Sequence, residues 1–255
     1  MEKDQRTIIE LTNELRLNCN KHKQIIIDNH KNIKFIYNPL DYAWKPHEYY
    51  LNTYGNLGAQ KIIMGMNPGH GMGNTGIPFG CPVKVNNYLN ITNLEVKKPK
   101  IMHPKRKILG LECKKPEISG KRIWSLIEDI YGPPEIAFRK IFIINHFPLW
   151  MFNESGQNIT PDKLNFRKSK SIFKICNDYL INLIDILNVK EIICVGKYAH
   201  NIAKKIVNEA KLTDIKIKEI PHPSPANPIA NKEKGEYWKK KAMAIIKSRK
   251  EIITQ

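Results

Sequence analysis

KIIMGMNPGHGMGNTGIPFG, residues 61–80, sets an apolar run directly against a glycine-rich segment. The first six residues, KIIMGM, have after Lys61 the apolar, isoleucine-rich character of a short strand buried on both faces. Positions 65–80 then hold six of the chain's 14 glycines. Such a segment packs poorly, but it lets backbone N–H groups come close to a ligand with no Cβ in the way. Its spacing is neither the GxxxxGK[ST] of a phosphate-cradling loop nor a GxGxxG that opens a helix. The stretch therefore reads as a buried strand that runs into a ligand-facing loop.

Three more apolar runs have the same look: KIFIINHF (140–147), EIICVG (191–196) and IKIKEI (215–220). Helical patterns lie over 6–25, 121–132, 161–188, 197–210 and 235–252, and Gly132 followed by Pro133 and Pro134 is a clear stop signal. Alternation of strand and helix predicts an α/β domain with a mainly parallel sheet. Residues 1–33 read as an N-terminal helix and lead-in, and 34–255 as a single domain. The aromatic-rich stretch 34–55, with Pro39 and Pro46, reads as a packed arm or loop, and the basic, strand-poor stretch 92–119 as an excursion from the domain.

The chain has 255 residues, 42 Lys and Arg against 24 Asp and Glu, and a net charge of +18. Charge of that size draws a protein to polyanions, nucleic acid first and anionic membranes second. No apolar run has the length of a membrane span. The five cysteines, at 19, 81, 113, 176 and 194, are odd in number and form no CxxC pair, which argues against a metal cluster or a disulfide framework. A metal-free, cofactor-free mechanism in a reducing compartment is the expectation.

In an open parallel sheet, ligands bind beyond the carboxyl ends of the strands. Asn67, Asn145 and His222 each follow a predicted strand, so one crevice should collect them. Each also has a plainer reading. Asn67 before Pro68 suits a turn, Asn145 suits a cap, His222 between two prolines suits a surface loop, and Phe79 suits the core. Together, two amides, an imidazole and an aromatic ring in a basic chain fit recognition of a flat polar ring carried on a polyanion.

The quoted loop resembles the first motif of the uracil-DNA glycosylase superfamily, in the form found in the single-strand-selective monofunctional uracil-DNA glycosylases. The likeness continues in order through YNPLDYAW (37–44), HPKRKILGLEC (103–113), ISGKRIW (118–124), NHFPLWMF (145–152), SGQNITP (155–161) and HPSPANP (222–228). It implies a three-layer fold with a four-stranded, mainly parallel sheet flanked by helices. The implied activity is excision of uracil and 5-hydroxymethyluracil from single- and double-stranded DNA by base flipping, leaving an abasic site, with no metal and no cofactor. By motif position, Asn67 orients the attacking water and His222 supports the leaving base. Asn145 reads the base edge, Phe79 stacks on the base, Met66 and Gly69 line the pocket around C5, and the loop Pro223, Ser224, Pro225, Ala226, Asn227, Pro228 enters the DNA. A monomer is implied, nuclear in a eukaryote and cytoplasmic otherwise. Three places depart from the family pattern. Ala226 stands where an Arg is usual, which leaves Asn227 or Ile229 as the wedge. The first motif is one residue shorter around His70, and KEKG (232–235) lengthens the region after the wedge. Two other readings stay open: a relative that prefers another deaminated base such as xanthine or hypoxanthine, and a catalytically silent nucleic-acid-binding module.

Overall fold

In the computed structural model, residues 6–247 are described. The strands are β1 Phe35–Tyr37, β2 Lys61–Gly65, β3 Ile141–Asn145, β4 Trp150–Phe152, β5 Asn158–Ile159, β6 Glu191–Val195 and β7 Lys216–Ile220. Helix α1 (Ile8–Asn29) precedes them, and α2 (Pro39–Tyr42) and α3 (Trp44–Tyr54) lie between β1 and β2. Between β2 and β3 come α4 (His70–Thr75), α5 (Pro82–Asn87), α6 (Ile118–Tyr131) and α7 (Pro134–Ala137). Helices α8 (Lys170–Ile186) and α9 (Lys197–Glu209) precede β6 and β7, and α10 (Pro228–Asn231) and α11 (Glu236–Ile246) follow them.

The four apolar runs form one sheet in the order β3-β2-β6-β7, and every neighbouring pair is parallel. Every residue of β3 and β6 is buried, as expected of strands covered by helices on both faces. The edge strand β7, KIKEI, is half-exposed and carries Lys216 and Lys218, charges that discourage pairing with another chain. Lys218 also reaches the carboxylate of Glu191 on the neighbouring strand. Ile8, Leu11, Leu15, Cys19 and Ile26 of α1 join the same core as the sheet. That helix starts at a capping box in which Thr7 and Glu10 satisfy each other's backbone N–H groups.

Residues 34–55 are not the expected arm or loop. They form β1, α2 and α3, because Pro39 and Pro46 both fall in first helical turns, where a missing N–H costs nothing. The expected helix over 161–188 is also shorter. Pro161–Lys163 and Arg167–Ser169 are separate 3₁₀ turns, with Leu164 extended between them, and the α-helix begins at Lys170. The expected helix over 235–252 runs from Glu236 to Ile246, and positions 248–252 lie outside the described residues. Within 92–119 only Gly110–Glu112 and the first turns of α6 are helical and no strand forms, in keeping with an excursion. Among the described residues no helix is long and apolar enough to cross a membrane.

A second sheet, β1-β4-β5, is antiparallel and was not legible from the sequence. It gathers Tyr42, Trp150 and Phe152 around Tyr37 in a separate aromatic cluster. This cluster supports α4. The Tyr42 hydroxyl donates to the Gly73 carbonyl at 2.6 Å, and a Cβ at Gly73 would lie 2.5 Å from Trp150 Cε3. Replacing a helical glycine by alanine ordinarily gains about 1 kcal/mol. Forcing a methyl into a buried indole costs about 1–3 kcal/mol, so overpacking wins. Gly73→Ala should therefore lower the denaturation midpoint, and an unchanged or raised midpoint in a urea titration would show that Trp150 yields freely.

Candidate active site

Parallel pairing places the loops after β2, β3, β6 and β7 at one end of the sheet. Asn145, the last residue of β3, pairs with Gly65, the last of β2. The ladder then continues as two further bonds, His146 N–H to Gly65 O at 3.0 Å and Phe147 N–H to Met66 O at 2.9 Å. On the other side of β2, Met64 pairs with Cys194, so Met66 and Gly196 each lie two residues beyond the same rung. His222 follows β7 and leans back over β6, where a Cβ on Gly196 would lie 3.4 Å from His222 Cβ. Gly196 itself has φ +84° and donates its N–H to Ile220 O at 2.9 Å. Across the sheet the order is thus Asn145, then Met66 and Asn67, then Gly196 with His222 above it. β2 and β7 are two strand spacings apart, about 10 Å.

Gly65 is closely crowded at this end. A Cβ there would collide with Asn145 Oδ1 and come within 2.5 Å of Phe79 Cζ. The amide and the ring therefore close over a residue with no side chain. Asn145 is 8 % exposed, and its Nδ2 donates to Met72 Sδ at 3.1 Å. A thioether only accepts, so the NH₂ end of the amide is the end that faces Met72. Oδ1 is the end turned to Gly65. Phe79 is half-buried and sits at φ +52°, a left-handed conformation that is rare for a bulky residue and costs about 1–3 kcal/mol. Two features hold it there. Trp124 Nε1–H donates to Phe79 O at 3.1 Å, and Gly120 has no Cβ, which would otherwise strike that carbonyl. Gly120 N–H is in turn bound by Glu117, the N-cap of α6. Burial pushes the Glu117 carboxyl above its ordinary range, against the pull of the Gly120 and Ser119 N–H groups.

Asn67 is half-buried, and its Nδ2 donates to Pro68 O at 3.2 Å. Gly69 is exposed and is the N-cap of α4, with open space where a Cβ would be. Met66 is half-buried, with its carbonyl taken by Phe147. His70, at the shortened point of the loop, lies between Asn74 Nδ2 and Cys113 Sγ, each 3.4 Å from a ring nitrogen. Burial first, then Lys115 and Arg106, lower its pKa.

The loop after β7 is tied down from several sides. Arg122 Nη1 donates to Pro223 O at 2.7 Å, Trp238 Nε1 to Pro221 O at 2.7 Å, and Asn231 Nδ2 to Pro225 O at 2.6 Å. Pro223 is buried, Ser224 and Asn227 are half-buried, and Pro225, Ala226 and Pro228 are exposed. Asn227 is engaged within this loop. Its Nδ2 donates to His222 O at 2.8 Å and its Oδ1 accepts Ile229 N–H at 3.1 Å, so both ends are used to shape the loop. Ile229 is half-buried and is the second residue of α10.

Sequence reading places Asn67, Asn145 and His222 after strands but misses the supports of these groups and of Phe79: Gly65, Met72, Gly120, Trp124 and Gly196. Gly120 and Trp124 belong to the matched stretch ISGKRIW, which was the available signal. Among the described residues no group of three or more His, Cys, Asp and Glu side chains is disposed to hold a metal ion.

The Uracil DNA glycosylase superfamily model matches residues 53–245. This chain belongs to that superfamily. It is 36% identical over 223 residues to the single-strand selective monofunctional uracil DNA glycosylase of Bos taurus, covering 87% of this chain and 80% of that protein. The Rattus norvegicus protein of the same name is 37% identical over 224 residues, with 87% of this chain and 78% of that one covered. The crystal structure of Pedobacter heparinus SMUG2 superposes with a TM-score of 0.58 at 20% identity, over 93% of this chain and 99% of that one, a likeness of fold. The superfamily's sheet flanked by helices is the architecture described above.

His222 adds a chemical detail. Its Nδ1 accepts the Ser224 N–H at 3.1 Å, so in the neutral ring the proton sits on Nε2. Burial lowers its pKa, which keeps the ring neutral as pH falls through the ordinary histidine range near 6.5. Ring ¹⁵N spectra should show the Nε2–H tautomer at pH 7, with protonation only below that range; a titration at or above 6.5 would contradict the buried setting.

Proposed function

We propose that this superfamily member is a monofunctional DNA glycosylase that excises uracil from DNA. The observation that carries this reading is the fixed amide of Asn145 beside the Phe79 ring. With its NH₂ end held to Met72, Asn145 offers Oδ1 to an N3–H donor and its second N–H to an O4 acceptor. That is the edge of uracil. Cytosine presents an acceptor at N3 and an amine at C4, and would meet the same amide with both signs reversed. A site built to hydrogen-bond one pattern rejects the other strongly, because its buried polar groups are left unpaired.

A base reaches such a slot only after leaving the stack, as glycosylases require. Phe79 then gives it a face to stack on, worth about 1–3 kcal/mol. The reaction breaks the C1′–N1 bond, and the electron pair stays with the base. His222 Nε2–H donates to O2 as charge develops there, an interaction stronger in the transition state than in the ground state. Water bonds to C1′, and the proton it loses passes to bulk water, balancing the negative charge of the departing base. Asn67, with Nδ2 held by Pro68, has Oδ1 left to accept a hydrogen bond from the attacking water. An amide is a poor base, which suffices if the sugar is already cationic when water arrives. The shortened loop at His70 borders the C5 side of the slot and governs acceptance of 5-hydroxymethyluracil.

Alkali treatment after incubation should nick a uracil-containing oligonucleotide. Asn67→Ala and His222→Leu should each lower the rate at least about tenfold, since one donor to developing charge is typically worth about 100-fold. Full activity in both variants would end this mechanism.

The loop apex, Pro225 and Ala226, carries no side chain large enough to fill the gap left by an extruded base. Uracil in single strands and duplexes is processed under this reading, with a weakened duplex preference. Ala226→Arg should raise the duplex rate while the single-strand rate stays level. No change in the ratio of the two would show that another element opens the duplex.

A further inference from the structure

A groove of about 750 Å³ lies between α1, β1, α2 and the segment around residues 95–101. None of Asn67, Phe79, Asn145 and His222 lines it, so it is separate from the candidate active site. Seven cationic side chains and two carboxylates line it. One of the carboxylates, Glu95, is already paired with Lys45 at 2.8 Å. Lys34, Lys97, Lys98 and Lys100 are exposed on the rim, and none forms an ion pair among the described residues.

The floor is flat and partly aromatic. Trp44 and Phe35 are half-buried there, and the Arg16 guanidinium lies over the Trp44 ring, 4.6 Å from its centroid. Asn38, 1 % exposed, donates its Nδ2 to Arg16 O at 3.0 Å and to Asn20 Oδ1 at 3.1 Å. Both partners are acceptors, so the orientation of the amide is fixed and Oδ1 is the end left over. That buried oxygen has no hydrogen-bond partner, and neither has the buried Nε of Arg16. Buried polar atoms are seldom left so, and each costs about 1–3 kcal/mol.

We propose that this groove binds a stretch of single-stranded nucleic acid, with phosphates on the lysine rim and a base against Arg16 and Trp44. Cationic grooves with aromatic or guanidinium platforms are the general solution for single strands. A rigid duplex hides its base edges and faces from such a floor, and an acidic peptide would leave the platform unused. Tyr42 forms part of the wall, and its hydroxyl is the group that holds Gly73 of α4. The groove therefore backs onto the helix that opens at the candidate active site. The proposal does not rest on excision of uracil.

The test is fluorescence anisotropy of the full chain with a labelled, uracil-free twelve-nucleotide strand, about the site size of a single-strand-binding groove, as DNA, as RNA, and as an abasic strand of the same length. A combined Lys97→Glu, Lys98→Glu, Lys100→Glu variant should bind the DNA or the RNA strand, or both, at least about tenfold more weakly. Its slope of log affinity against log salt should fall by about 2, as expected for three lost phosphate contacts on a single strand. Arg16→Gln should weaken binding of the base-bearing strand and leave the abasic strand unaffected. Thermal melting confirms that each variant is folded. Wild-type affinity in the triple variant would overturn the proposal. So would equal affinity of the wild-type chain for abasic and base-bearing strands, which would mean attraction by charge alone. Because no probe contains uracil, failure here and failure of uracil excision are read separately.

Discussion

Everything at the active end of the sheet depends on the absence of one carbon atom. Gly65 ends β2 at the point where Asn145 comes in from β3 and Phe79 from the loop beyond, and a Cβ there would meet both. The parallel ladder fixes the height of Asn145 relative to Gly65. The loop fixes the ring. A single methyl at this rung would push apart the Asn145 amide and the Phe79 ring. The glycine-rich segment thus serves more than flexibility: Gly65 makes room for ligand-facing groups, while Gly73 makes room for Trp150.

Rigidity comes from elements that never reach the slot. The left-handed Phe79 is held by an indole N–H and by a glycine in α6, and α6 starts on a half-buried carboxylate whose hydrogen bonds are with its own first turn. Strain of about 1–3 kcal/mol is sustained only where the surroundings over-determine the conformation. A similar economy orients the amides. Asn145 faces a sulfur and Asn38 faces two oxygens, partners that accept and cannot donate. In each case an acceptor-only neighbour decides which way a near-symmetric side chain is turned.

The sequence made the large features legible for physical reasons. KIIMG, IFIIN and EIICV are uncharged or nearly so, short, and bounded by turn residues, as strands buried on both faces must be. Their shared direction follows from the intervening helices, and from it the meeting of Asn67, Asn145 and His222 at one end. Prolines misled where they sat in first helical turns, as Pro39 and Pro46 do, because composition does not tell a helix start from a loop. The second sheet was invisible because β1, β4 and β5 are two or three residues long, too short for any period to show. Nor could spacing reveal that Asn227 is consumed by its own loop, since an Asn that caps and an Asn that points outward look alike in one dimension.

A net charge of +18 invites the expectation that charge does the chemistry, yet the groups gathered at the candidate site are uncharged: two amides, an aromatic ring and an imidazole that burial keeps neutral. Burying a charge costs far more than burying a hydrogen-bonded dipole. Fixed dipoles also need no reorganisation when charge develops on a leaving group. The lysines stay outside, where they remain hydrated and attract any strand through its phosphates irrespective of sequence. Under the proposed reaction the labour divides accordingly. The basic surface concentrates nucleic acid without choosing among bases, and the neutral slot chooses without contributing to long-range attraction. Added salt should then weaken capture while leaving discrimination between uracil and cytosine intact, because the first is a screened Coulomb attraction and the second a matter of which end of Asn145 faces the base.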